Sequence, residues 1–342
     1  MTYSPTICFE AVATREGKDL TRKRFHRIEA ALCGLAALMF SSAAPAADTV
    51  TLFMGTTPDY ANIYVARDKG FFEQEGIKVD IRLFPSGSAA TDGFRSGKVE
   101  FVASGDAPAL RLCQVTGAFV IAPTSYDGFS PVFMVRADIK SPADLKGKRF
   151  GTRVGSSAEL FIDLVKKKYN LPDDAFKLIN LEPTDMVAAL DRGDIDGFLW
   201  FSPFEERSMT VSGNKVRLFL RGGEVGYTNE VTLVARGDLT AEKPELVTRF
   251  LKALIKGSDY ATDHRDETVN IVAAALKLDK KAAEVTREMN FPVAFDKRLY
   301  ERYGVQADFM LSHKMIKDPI DLKSCFWTKG IAAADPKRVT QP

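Results

Sequence analysis

The chain has 342 residues, 45% hydrophobic and 27% charged, enough for two domains with their own cores. Its 47 Lys and Arg nearly balance its 45 Asp and Glu, and six of those basic and four of those acidic residues fall in the first 47 positions. The remainder is neutral, which argues against nucleic acid as a partner, since phosphate neutralisation needs a basic surplus.

Taken in order, the chain opens on a processing signal. Arg22-Lys23-Arg24-Phe25-His26-Arg27 is a basic run, and residues 30–40 are an apolar stretch too short to span a bilayer. Ala44-Pro45-Ala46 then fits a cleavage site before Ala47 or Asp48. Residues 1–47 read as a signal peptide with a long leader, which implies export to a periplasm. Cys113 and Cys325 remain after cleavage. Cys113 lies in an apolar helical run and reads as a buried free thiol, with a bridge to Cys325 as the alternative that an export compartment permits. His264 and His313 show no metal-ligand spacing, so neither a metal nor a cofactor is expected.

Residues 50–54 alternate like a strand, and Asp59 stands where it can cap a helix over 61–69. A second strand at 78–84 leads into the turn Pro85-Ser86-Gly87-Ser88 and a helix to about Ser96. A third, 100–103, ends in Ser104-Gly105-Asp106-Ala107-Pro108, with Asp106 as cap. Strands at 119–122 and 132–136 follow. This repeated β-turn-α pattern predicts a mostly parallel sheet, whose ligands sit beyond the carboxyl ends of its strands. The turns at Thr57, Ser86 and Ser104 all lie at those ends.

A second unit of the same kind begins near Ser141. Its centre is Phe150-Gly151-Thr152-Arg153-Val154-Gly155-Ser156-Ser157-Ala158-Glu159, a strand running straight into a helix over 157–169. Ser156 and Glu159 have capping-box spacing. The free amides of such a helix start, with two serines and Arg153 beside them, suit an anion, while an ordinary capped turn is the plainer reading. Strands at 177–181, 197–200, 216–220 and 231–236 alternate with helices at 186–192 and 205–211. From Pro244 onward four helical stretches form a tail.

Five stretches together resemble one family. They are Tyr64-Val65-Ala66-Arg67-Asp68-Lys69-Gly70-Phe71-Phe72-Glu73-Gln74-Glu75-Gly76-Ile77-Lys78-Val79, the Ser86-Gly87-Ser88 turn, Gly97-Lys98-Val99-Glu100-Phe101, Asp144-Leu145-Lys146-Gly147-Lys148-Arg149-Phe150-Gly151, and Ala189-Leu190-Asp191-Arg192-Gly193-Asp194-Ile195-Asp196-Gly197. The chain is similar to the periplasmic solute-binding proteins of ABC importers, in the nitrate/sulfonate/taurine and thiamine-precursor group. The resemblance implies an α/β, two-lobed periplasmic-binding-protein fold of type II. Its lobes would be residues 48–138 with 232–342, and 139–231, joined by two crossing strands at 132–136 and 231–236, with the helical tail packed on the first lobe.

By the same resemblance the ligand shell draws on Thr57, Asp59, Tyr60, Ser86, Gly87, Ser88, Ser104, Gly105 and Asp106 in the first lobe. In the second it draws on Arg153, Ser156, Ser157, Trp200, Phe201, Asn229 and Glu230. Trp200 reads equally as a core residue or as an aromatic wall, and Glu230 as a turn cap or an amine partner. The implied function is capture of a small organic solute, anionic and with an organic or aromatic body, by hinge closure. Partners would be that solute and the permease subunits, with the protein itself a monomer. Alternatives are an enzyme of cofactor biosynthesis on the same fold and a ligand-sensing subunit of a membrane receptor. Against the enzyme, the cysteine-rich motif of the yeast-type thiamine-precursor enzymes is missing, and no histidine falls in the expected cleft.

Overall fold

The computed structural model describes residues 47–340, so the expected signal peptide lies outside the described residues except for Ala47. The first part of the chain forms β1 (Asp48–Met54), α1 (Ala61–Asp68), α2 (Phe71–Gln74), β2 (Ile77–Leu83), α3 (Gly87–Ser96), β3 (Phe101–Gly105), α4 (Asp106–Thr116) and β4 (Phe119–Asp127). It then crosses to β5 (Pro131–Arg136), β6 (Arg149–Thr152), α5 (Ala158–Lys168), β7 (Lys177–Asn180), α6 (Pro183–Arg192), β8 (Gly197–Phe201), α7 (Phe204–Ser212) and β9 (Val216–Arg221). It returns through β10 (Asn229–Ala235).

Two five-stranded sheets result, ordered β2-β1-β3-β10-β4 and β7-β6-β8-β5-β9. The plan is the same in both. β1 pairs in parallel with β2 and β3, and β6 with β7 and β8. The fourth position is an antiparallel strand that enters from the other lobe: β10 beside β3 and β4, β5 beside β8 and β9. β10 is buried along its whole length and β5 along all but its last residue, as expected of inner strands covered on both faces.

The crossings sit elsewhere than the sequence suggests. Residues 132–136 and 231–236 pair within single sheets, because their apolar runs make good inner strands. The chain passes between lobes just before them, at 128–130 and 222–228. The two crossings meet glycine on glycine. The Gly223 amide donates to the Gly128 carbonyl at 2.7 Å, and a Cβ on Gly128 would lie 3.1 Å from the Gly223 Cα. Each lobe has its own aromatic core. Phe72 and Phe101 pack tilted against Phe250, with ring centroids at 4.7 and 4.3 Å, and Phe150 sits 4.9 Å from Phe133 and 5.0 Å from Phe176.

The tail holds α8 (Gly237–Glu242), α9 (Pro244–Asp263), α10 (Arg265–Leu276), α11 (Lys280–Ala283), α12 (Lys297–Ser312), α13 (Leu322–Cys325) and α14 (Lys329–Ala334). It packs on the first lobe. Gly257 of α9 lies against the α1 backbone at Asn62, and the Trp327 amide donates to the Val120 carbonyl at 3.0 Å. Cys113 of α4 and Cys325 of α13 are joined in a disulfide, with Cα atoms 5.6 Å apart, which corrects the free-thiol reading. The helical pattern of residues 109–113 put Cys113 on a buried face, but that same face is where the tail returns. Among the described residues no helix is long and apolar enough to cross a membrane.

Candidate ligand-binding cleft

The turns that leave β1, β2, β3, β6 and β8 line one cavity of about 40 Å³. The first lobe contributes Thr57, Asp59, Tyr60, Ser86, Gly87, Ser88, Gly105 and Pro108, and the start of β10 adds Asn229 and Val231. The second lobe contributes Ser156, Ser157, Trp200 and Phe201. No Lys, Arg or His lines it.

Each wall has a local cause. After β1, residues Pro58–Tyr60 form a single 3-10 turn that buries Asp59 and Tyr60. Asp59 does not cap α1. Its carboxylate accepts from Asn229 Nδ2 at 2.8 Å and from Ser130 Oγ at 3.3 Å. Ser86 caps α3, its Oγ accepting from the Ala89 amide at 3.1 Å. Gly87 has to be small, since a Cβ there would stand 2.9 Å from Tyr60 Oη and 3.2 Å from Ser104 Cα.

Across the gap, the β6–α5 turn is one residue longer than the capping-box spacing suggests. Gly155 turns at φ +83° and Ser157, rather than Ser156, takes the N-cap position. Ser156 Oγ accepts from the Ala158 amide at 3.3 Å, and the Glu159 carboxylate accepts from the Gly155 amide at 2.9 Å. Ser157 Oγ then reaches the other lobe and accepts from the Ala107 amide at 3.3 Å. Trp200 and Phe201 close the far side with ring centroids 5.0 Å apart. Trp200 is 4% exposed, and its buried indole N–H finds no hydrogen-bond partner among the described residues, which leaves an unpaired donor in the residue that forms this wall.

Four expected residues lie outside this wall. Ser104 is fully buried in β3, its Oγ donating to the Gly105 carbonyl at 3.3 Å. Asp106 starts α4 beneath the cleft, where its carboxylate accepts from the Ala107 amide and burial raises its pKa. Glu230 points away into an ion pair with Arg298 at 2.6 Å, and burial pushes it up to about 7. Arg153 is bound to Glu182 at 2.8 Å and, across the lobes, to Asp92 at 3.2 Å. It lines a second cavity of about 210 Å³ beside the first, with Arg95 and Arg111.

Sequence reasoning missed those two arginines, which sit on helix sides where charge carries no spacing signal. It also missed Asp127 and Ser130. Ser130 Oγ donates to Asp127 at 2.7 Å while reaching Asp59, so two buried carboxyls share one hydroxyl at the first crossing. Burial raises both, Asp127 to about 7, and the neighbouring Asp59 charge adds to that rise. The only signal for them is the acid five residues before the apolar run of β5, and that is too common to use.

The family model described as NMT1/THI5 like matches residues 57–268. A Brucella abortus protein called a binding protein and no more is 26% identical over 302 residues, 85% of this chain and 94% of that protein. The taurine-binding periplasmic protein of Escherichia coli is 29% identical over 225 residues, 65% of this chain and 69% of that protein. Among solved structures, the alkanesulfonate-binding protein from Xanthomonas axonopodis pv. citri bound to MOPS superposes with a TM-score of 0.71 at 18% identity, covering 84% of this chain and all of that one. At that identity the likeness is one of fold: two α/β lobes of the periplasmic-binding-protein type.

Proposed function

The chain belongs to the NMT1/THI5-like family, and on that premise we propose that it is the solute-binding component of an ABC importer. It works as a monomer in the periplasm after loss of residues 1–47, closes on a small organic acid of sulfonate type, and delivers it to the permease subunits. The lobes that move are built on the sheets β2-β1-β3-β10-β4 and β7-β6-β8-β5-β9.

One observation carries this reading: a cavity walled from both lobes by serine and threonine hydroxyls, helix-start amides and aromatic rings, with no cationic side chain. A sulfonate is an anion at every physiological pH and has three acceptor oxygens. It needs fixed donors rather than a counter-charge, and the first turns of α3 and α5 with the Trp200 N–H supply them. Asp59 lines the same cavity, held by Asn229 and Ser130. Neither Cys nor His lines the cleft, which favours capture without a covalent step.

The test is calorimetric titration with taurine, longer alkanesulfonates, aromatic carboxylates and pyrimidines. Sulfonates bind one to one, and Trp200→Phe, which keeps a ring but removes the N–H, weakens them about tenfold. Absence of binding by every class would overturn the proposal. Turnover of a bound solute would replace it with an enzyme.

A further inference from the structure

The geometry points to a second anionic subsite at the cleft mouth, so that the solute carries a second acidic group at the end opposite its sulfonate-type head. This deepens the reading above and rests on it. The inner cavity, about 40 Å³, has room for a few waters, which is the size of a head group and little more. The rest of any organic solute has to leave it. Ser88 and Pro108 line both this cavity and the outer one of about 210 Å³, so the outer cavity is where the body of the solute goes.

The outer cavity differs in chemistry from the inner one. Its charged lining is Arg95, Arg111, Arg153 and Asp92. Arg153 is already satisfied by Asp92 and Glu182. Arg111 is half-buried on α4 and Arg95 is exposed on α3, and neither makes an ion pair among the described residues. Glu159, an acid that feels the Arg111 charge, is turned onto the Gly155 amide. Two guanidiniums therefore face a space that opens directly from the head-group site. Leu112, Val115 and Val154 line the same space and suit an apolar linker. A planar guanidinium matches a carboxylate or phosphate in two-point geometry. The subsite exists only with the lobes together, because Gly155 of the second lobe packs against the Arg111 guanidinium of the first.

Matched pairs of sulfonates test this: alkanesulfonates of four to six carbons ending in methyl, against chains of equal length ending in carboxylate. Titration of the wild-type protein gives roughly tenfold tighter binding of the carboxylate-ended member. Arg111→Gln with Arg95→Gln abolishes that preference and leaves the methyl-ended affinity within about twofold, and an unshifted melting curve shows the variant folded. Equal affinity of the pair in the wild type, or a preference that survives in the variant, overturns the subsite while sulfonate binding stands. Binding by neither series overturns the solute-binding reading and the subsite with it.

Discussion

Asp59 is held at both crossings, through Ser130 of the first and through Asn229, the first residue of β10 after the second. Its neighbour Asp127 gives this arrangement a pH signature. Burial holds Asp127 at about 7, and Asp59 is raised as well, so the folded protein keeps protons that the unfolded chain releases near 3.8. Stability is therefore full below that value and declines as pH rises toward about 7, then levels off. Glu230, also held at about 7, adds to the same decline. Melting temperature measured from pH 4 to 8 falls less steeply for Asp127→Asn than for the wild type, and an unchanged slope would contradict the buried-acid account. Thr57, Ser86 and Ser156 were legible as residues of the cleft wall because turns after strands lead to one sheet edge. Ser130, Arg95 and Arg111 were not, since their roles depend on which surfaces meet across the chain.

The helical tail is an element whose presence the residue spacing announced and whose packing on the first lobe the family resemblance implied, while its covalent tie to that lobe was read the other way. Spacing of apolar residues places α9 without difficulty, with Leu246, Val247, Phe250, Leu251 and Leu254 buried on one face. Nothing in 212 residues of separation encodes the pairing of Cys113 with Cys325. That bridge ties α13 to α4, the helix that carries Arg111. By chain entropy a loop of that length contributes at most about 5 kcal/mol, and measured bridges give roughly 2–4. Cys325→Ser lowers the melting temperature, and a reductant lowers the wild type toward the variant without moving the variant further. A wild-type curve indifferent to reductant would remove the bridge from the account. Helix starts also moved by a residue where glycine allowed it, as at Gly155, since a left-handed turn is invisible to periodicity.

At the scale of the molecule, the repeated β-turn-α pattern was enough to foretell two similar lobes, and the identical order of their sheets is its physical basis. The positions of the crossings were not legible, because the apolar runs at 132–136 and 231–236 stand out as strands while the connecting segments at 128–130 and 222–228 carry no pattern of their own. In the structure the lobes touch through Ser157 and Ala107, Arg153 and Asp92, Lys281 and Glu206 at 3.1 Å, and His313 and Asp163 at 3.8 Å. The Ser157–Ala107 bond is buried, but the charged pairs each have an exposed partner and hold about 1 kcal/mol or less each, so these few contacts do not by themselves hold the lobes together and bound solute supplies the closure. Small-angle X-ray scattering of the protein lacking residues 1–47, with and without a saturating sulfonate, is the measurement that bears on closure. Closure gives a smaller radius of gyration when the sulfonate is bound; a bound sulfonate that leaves the radius unchanged would contradict capture by closure.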